Sequence, residues 1–152
     1  MAIETGQQAP DFELKDPGGK TVKLSDFSGA PVLLVFYPFT FTGICEGELC
    51  QLRDDYSKYE KSGVQVVAVS CDTKNAQGLW KEQMGYQFPV LSDFWPHGAA
   101  ARAYGVFNEA VGCANRATFL IDNQGVIVDS FATDDLGTAR EATRYDEALA
   151  KL

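Results

Sequence analysis

The residues best able to do chemistry lie in one stretch, YPFTFTGICEGELC at 37–50, where Cys45 and Cys50 stand five positions apart and Thr42 three before the first. A thiol attacks only as the thiolate, so the question is what would favour charge at Cys45. The stretch follows an apolar run, PVLLVFY at 31–37, and in open α/β sheets reactive groups gather beyond the carboxyl ends of strands. With Thr42 as N-cap, Cys45 is N3 of the next helix, in the first turn, where free N–H groups and the helix dipole favour negative charge. That dipole is worth only about 0.3–1 kcal/mol at an exposed site, and Glu46 and Glu48 oppose it. A cation is needed, because an opposite charge within a few ångströms favours the ionised form more strongly. Arg116, just ahead of ATFLID at 117–122, is the candidate.

Positioning these residues takes strands and helices in alternation. DPGGK at 16–20 between DFEL and TVKL reads as the turn of a hairpin. The runs 31–37 and 64–70 are β-rich and apolar throughout, as in strands buried on both faces. Between them, from about 43 to 61, Leu49, Leu52, Tyr56 and Tyr59 trace one helical face. Cys45 falls at the centre of that stripe, and Cys50 falls on the polar side with Asp54 and Ser57. Further helices are predicted at 73–85, 98–106 and 140–152, with FPVLSD at 88–93 between the first two. A hairpin of 117–122 with 126–131 turns at Asn123, Gln124 and Gly125. The pattern predicts an α/β sandwich around a central mixed sheet.

Composition narrows the function classes. At 152 residues, 45% hydrophobic and 22% charged, the chain suits one globular domain spanning 1–152. A formal net charge of −8 argues against nucleic acid or an anionic membrane as partner. The start MAIETGQQAP lacks a secretory signal, and the longest apolar run, Pro31 to Phe36, is far too short for a membrane span, so a cytoplasmic location is expected. There, four cysteines read as inert thiols, metal ligands or redox groups rather than a disulfide framework. No second cysteine pair completes a zinc site with Cys45, Cys50 and His97, and no haem, flavin or nucleotide motif is present. Neither metal nor cofactor is expected.

Pro38, Thr42 and Cys45 together spell PxxxTxxC. With APDFEL, Glu48, FPVLSD, AYGVF and the Arg116 of NRATFLID in the same order, the chain resembles the peroxiredoxins, thiol peroxidases on a thioredoxin-like fold. TFTGICEGEL and SDFWPHGAAARAYGVFNE are most similar to the alkyl hydroperoxide reductase E (AhpE) branch. The resemblance implies a thioredoxin-like fold, its central mixed sheet flanked by helices and preceded by an N-terminal β-hairpin. It implies that Cys45 attacks hydrogen peroxide or an organic hydroperoxide and becomes a sulfenic acid, the first step of cysteine oxidation. Thr42 would orient the peroxide, Arg116 hold the thiolate and polarise the O–O bond, Pro38 shield the thiol, and Glu48 hold Arg116. A homodimer and a thioredoxin- or mycoredoxin-type reductant are implied as well.

Cys50 departs from the AhpE pattern and resembles the resolving position of the bacterioferritin-comigratory or PrxQ branch. On an ideal helix, Cα atoms five residues apart are roughly 8.6 Å apart, whereas a disulfide needs them within about 7 Å. A Cys45–Cys50 bond is therefore expected to unwind the first one or two turns, helped by Gly47, a helix former poorer than alanine by about 0.8–1.0 kcal/mol. Cys113, three before Arg116, is a second resolving candidate, and Cys71 reads as buried filler. His97 is expected to be a structural hydrogen-bonding residue. Phe94 and Trp95 are expected in the core, with an apolar substrate or dimer surface as the other reading. A disulfide oxidoreductase lacks its CxxC. A non-catalytic cysteine redox sensor or chaperone remains as the alternative to an enzyme.

Overall fold

The structure is a computed structural model and describes residues 2–152. In chain order it comprises β1 (Glu13–Lys15), β2 (Thr21–Lys23), β3 (Val32–Phe36), α1 (Gly43–Asp54), α2 (Tyr56–Lys61), β4 (Gln65–Ser70) and α3 (Lys74–Met84). There follow β5 (Val90–Ser92), α4 (Ala99–Ala103), β6 (Phe107–Asn108), β7 (Cys113–Ala114), β8 (Ala117–Ile121), β9 (Ile127–Ala132) and α5 (Thr143–Leu149). Seven strands form one sheet in the order β2-β1-β5-β4-β3-β8-β9, and β6 and β7 form a separate ribbon. β3, β4 and β5 run parallel, while β8 lies antiparallel to β3 and the N-terminal hairpin joins antiparallel through β5. This is the expected α/β architecture, a mixed sheet between helices.

The period-two alternation of strand side chains divides the core in two. Val32, Leu34 and Phe36 pack on one face with Val67, Val69, Phe119 and Tyr104. Leu33, Val35 and Tyr37 pack on the other with Leu49, Leu52, Tyr59 and Trp80, so α1, α2 and α3 cover that side. Because both faces are covered, every residue of β3 is buried, which is why its sequence does not alternate. No helix among the described residues is long and apolar enough to cross a membrane.

Four expectations are corrected. The helix expected over 43–61 is interrupted at Asp55 (φ −93°, ψ 9°), a poor helix former whose carboxylate takes the Gln51 amide at 2.9 Å. The final helix begins at Thr143 rather than 140; Arg140 is instead drawn into the core, its backbone N–H and its side chain both bonded to Glu48. The helix expected over 98–106 is five residues long, bounded by Gly98 (φ 73°) and Gly105 (φ 71°). Phe94 and Trp95 are not core residues: they are 47% and 83% exposed.

Candidate active site

The register of β3 against β8 builds the site. Phe36 pairs with Ala117, which sets Arg116 level with Tyr37, one step before the loop 38–42 leaves the sheet. Pro38 is buried at the start of that loop. Thr42 is the N-cap of α1 (φ −115°, ψ 147°), so Cys45 is N3, as expected. The Thr42 side chain does not cap the helix, however; its hydroxyl donates to the Phe39 carbonyl at 2.6 Å. Its lone pairs are thereby left for another donor.

Cys45 is fully buried. One nitrogen of Arg116, Nη1, donates both to Cys45 Sγ at 3.2 Å and to Glu48 Oε1 at 2.7 Å, while Nε donates to the Leu136 carbonyl at 2.8 Å. The cation that the helix end required is thus in place, and Glu48 holds it. Residues 37–50 do not reveal a second guanidinium, that of Arg140. Its Nε and Nη2 grip Glu48 at 2.9 Å each, and Nη1 reaches the Phe36 carbonyl at 2.7 Å and Thr118 Oγ1 at 3.2 Å. Two buried guanidiniums share one carboxylate, leaving one positive charge beside the thiol. A Cys45 thiolate neutralises that group of four.

The other cysteines differ in kind. Cys50 is half-buried, packed against the core with its Sγ 3.7 Å from the Tyr86 hydroxyl, not out on a polar face. Trp80, Tyr86 and Phe88, from α3 and its continuation, supply an aromatic wall that periodicity on α1 does not reveal. All four thiols are free, and α1 runs unbroken through both Cys45 and Cys50. Burial pushes the Cys71 thiol up to about 12, and burial with the nearby Cys45 pushes that of Cys113 up to about 11, so both stay protonated at neutral pH. His97 places its ring nitrogens 3.1 Å from the Phe94 carbonyl and 2.7 Å from that of Gly112.

Burial raises the Glu48 carboxyl, but the hydrogen bonds and charge of Arg140 and the hydrogen bond from Arg116 outweigh it and hold Glu48 below the usual carboxylate value. The unfolded chain therefore takes up this proton at higher pH than the folded one does. The stabilisation is whole above the unfolded value and is lost as pH falls through the folded value. Urea unfolding between about pH 6 and pH 3.5 should show stability falling more steeply in the parent than in Glu48→Gln. Equal slopes would mean that the two guanidiniums do not hold Glu48 ionised.

Comparison with known proteins follows the same lines. The AhpC/TSA family profile matches residues 5–130. Alkyl hydroperoxide reductase E of Mycobacterium tuberculosis is 46% identical over 152 residues, covering 99% of this chain and 98% of that protein. Peroxiredoxin Bcp of Bacillus subtilis is 37% identical over 134 residues, 84% of each. Among solved structures, the peroxidoxin BcpB of Mycobacterium tuberculosis superposes with a TM-score of 0.87 at 30% identity, over 98% of this chain and 96% of that one. AhpC of Enterococcus faecalis gives 0.85 at 29%, over 96% and 90%.

Proposed function

The chain belongs to the AhpC/TSA family and is a peroxiredoxin of thioredoxin-like fold, a thiol-dependent peroxidase, and from that premise we propose that Cys45 is its peroxide-reducing thiolate. The observation that carries the assignment is the buried Arg116 guanidinium 3.2 Å from Cys45 Sγ at a helix N-terminus. Sγ attacks the terminal oxygen of hydrogen peroxide or an organic hydroperoxide; the S–O bond forms as the O–O bond breaks. The leaving oxygen takes a proton and departs as water or alcohol, and Cys45 is left as the sulfenic acid, oxidised by two electrons. Thr42, its own proton committed to Phe39, accepts a hydrogen bond from the peroxide O–H. Arg116 stabilises the charge moving onto the leaving oxygen, Glu48 holds Arg116, and Pro38 keeps bulk water from the thiol.

In the second step the Cys50 thiol attacks the Cys45 sulfenic sulfur, releasing water and forming a disulfide. An unbroken α1 holds the two cysteines too far apart, so the first turns of the helix must open. A Cβ added at Gly47 would meet nothing within 4 Å, so tight packing does not lock that turn. The disulfide is returned to two thiols by a thioredoxin- or mycoredoxin-type protein. A cytoplasmic location, where such dithiols are kept reduced, suits this cycle. Exposed Phe39, Phe41, Phe94 and Trp95 all follow carboxyl ends of parallel strands and support a homodimer joined at that end.

Peptide mass mapping after one equivalent of peroxide tests the reading. The parent should yield a Cys45–Cys50 disulfide, and Cys50→Ser a trappable Cys45 sulfenic acid. Unmodified Cys45 in both would overturn its assignment, and a persistent sulfenic acid in both would remove Cys50 from the cycle. Sustained peroxide consumption with a dithiol reductant separates this enzyme from a sensor that is oxidised once.

A further inference from the structure

The loop 38–42, which carries Thr42, makes little regular structure of its own. Phe41 within it has φ 64°, the one positive φ of a non-glycine among the described residues, a conformation that costs roughly 1–2 kcal/mol for a side chain of this kind. Such a backbone persists only where its surroundings over-determine it. The surroundings in question lie at Thr40, in the middle of the loop. Thr40 is buried; its N–H donates to Asp72 Oδ2 at 2.8 Å, and its Oγ1 is 2.9 Å from the Tyr37 hydroxyl.

Asp72 is itself fixed from two strands. Ser70, the last residue of β4, donates its hydroxyl to the same Oδ2 at 2.7 Å, and Ser92, the last of β5, donates its hydroxyl to the Asp72 carbonyl at 2.6 Å. Buried Gln77 in turn donates to Ser70 Oγ and to the Leu91 carbonyl, at 2.8 Å each. β3 lies between β4 and β8, so the loop leaving it is held on both flanks. Arg116, from the β8 side, holds the thiol; Asp72, from the β4 side, holds the backbone that presents Thr42.

We propose that Asp72 is a positioning residue for peroxide binding, acting through the Thr40 N–H to fix the Phe39 carbonyl and hence the Thr42 hydroxyl that it orients. This rests on the assignment of Thr42 above. The carboxylate touches neither peroxide nor Cys45. Without it the strained turn at Phe41 relaxes and carries the hydroxyl away from its place, and a displacement of about 1 Å can cost on the order of 100-fold in rate.

The test compares two reactions of Cys45 under rapid mixing. Oxidation by hydrogen peroxide needs the thiolate and Thr42, whereas alkylation by iodoacetamide needs the thiolate and an opening over the buried Sγ but not the Thr42 hydroxyl. Asp72→Ala should slow oxidation about 10- to 100-fold and should not slow alkylation, since a looser loop over the buried Sγ only eases the reagent's approach. Asp72→Asn, which keeps an acceptor for Thr40, should restore most of the oxidation rate. In a Thr42→Val background Asp72→Ala should cost little more, because the two changes remove one interaction. Equal slowing of oxidation and alkylation, full additivity with Thr42→Val, an unaffected Asp72→Ala or an Asp72→Asn as slow as Asp72→Ala would each overturn the proposal. Should Thr42→Val oxidise at the parent rate, the assignment of Thr42 fails first, a separate result. If Asp72→Ala does not fold, Asp72→Ser, too short to reach the Thr40 N–H, carries the same expectations.

Discussion

Arg116→Met should oxidise Cys45 at about one hundredth to one thousandth of the parent rate, the loss expected when one donor to developing charge is removed. Cys45→Ser sets the zero of the scale. The geometry explains why the effect is large. Arg116 Nη1 is the guanidinium nitrogen on Sγ, and it is buried, so water cannot take its place. Methionine fills a similar volume, but the local charge then falls by one: Arg140 and Glu48 cancel, and a Cys45 thiolate becomes an uncompensated buried anion. Both steps suffer, since the thiolate is disfavoured and the departing oxygen loses its stabilising donor. Stopped-flow oxidation by hydrogen peroxide reads the effect. A rate within tenfold of the parent would show that Arg140 or the helix end alone supplies the needed field.

Arg140→Met should be felt mainly in stability, with a smaller loss of oxidation rate than Arg116→Met: the charge beside the thiol falls by one here too, but the donor on Sγ stays in place. Breaking a buried ion pair by removing one partner costs roughly 3–5 kcal/mol, and here the Phe36 carbonyl and Thr118 Oγ1 lose a donor at the same stroke. For a chain of this size that corresponds to a fall in Tm of roughly 6–20 °C. Glu48→Gln in the Arg140→Met background should recover part of the loss, because the amide leaves less charge unpaired. Thermal and urea unfolding of the single and double variants check this. A loss under about 1 kcal/mol would mean that the pair behaves like a surface salt bridge.

Cys45, Thr42 and Arg116 were legible in sequence because each sits at a boundary that sequence marks: the end of an apolar run, the start of a helical stripe, the residue before a strand. Arg140 carries no such mark. Its neighbours REATR read as the start of a helix, and what pulls it inward are groups 92 and 104 residues away, Glu48 and the Phe36 carbonyl. Cys50 was misplaced for a related reason. Periodicity assigns a face to a helix but not what lies against that face, and the aromatic wall comes from residues 80–88. The long strands were plain from their unbroken apolar runs, whereas β6 and β7, two residues each, are too short for any pattern to show.

The interruption at Asp55 sets the size of the part that the proposed Cys45–Cys50 disulfide would require to move. Helix melting spreads along a ladder of i to i+4 bonds, and here the ladder stops: α2 starts afresh, with Lys58 N–H bonded to the Asp55 carbonyl. Beyond the break Tyr59 is anchored in the core at 1% exposure. In the proposed cycle, fraying that begins at Cys45 would end within α1, leaving α2 and Tyr59 on the sheet while the two cysteines come together. A single helix running from 43 to 61 would couple the travel of Cys50 to the packing of Tyr59; the break acts as a fuse, confining the disturbance to α1, whose last turns Leu49 and Leu52 keep moored in the core.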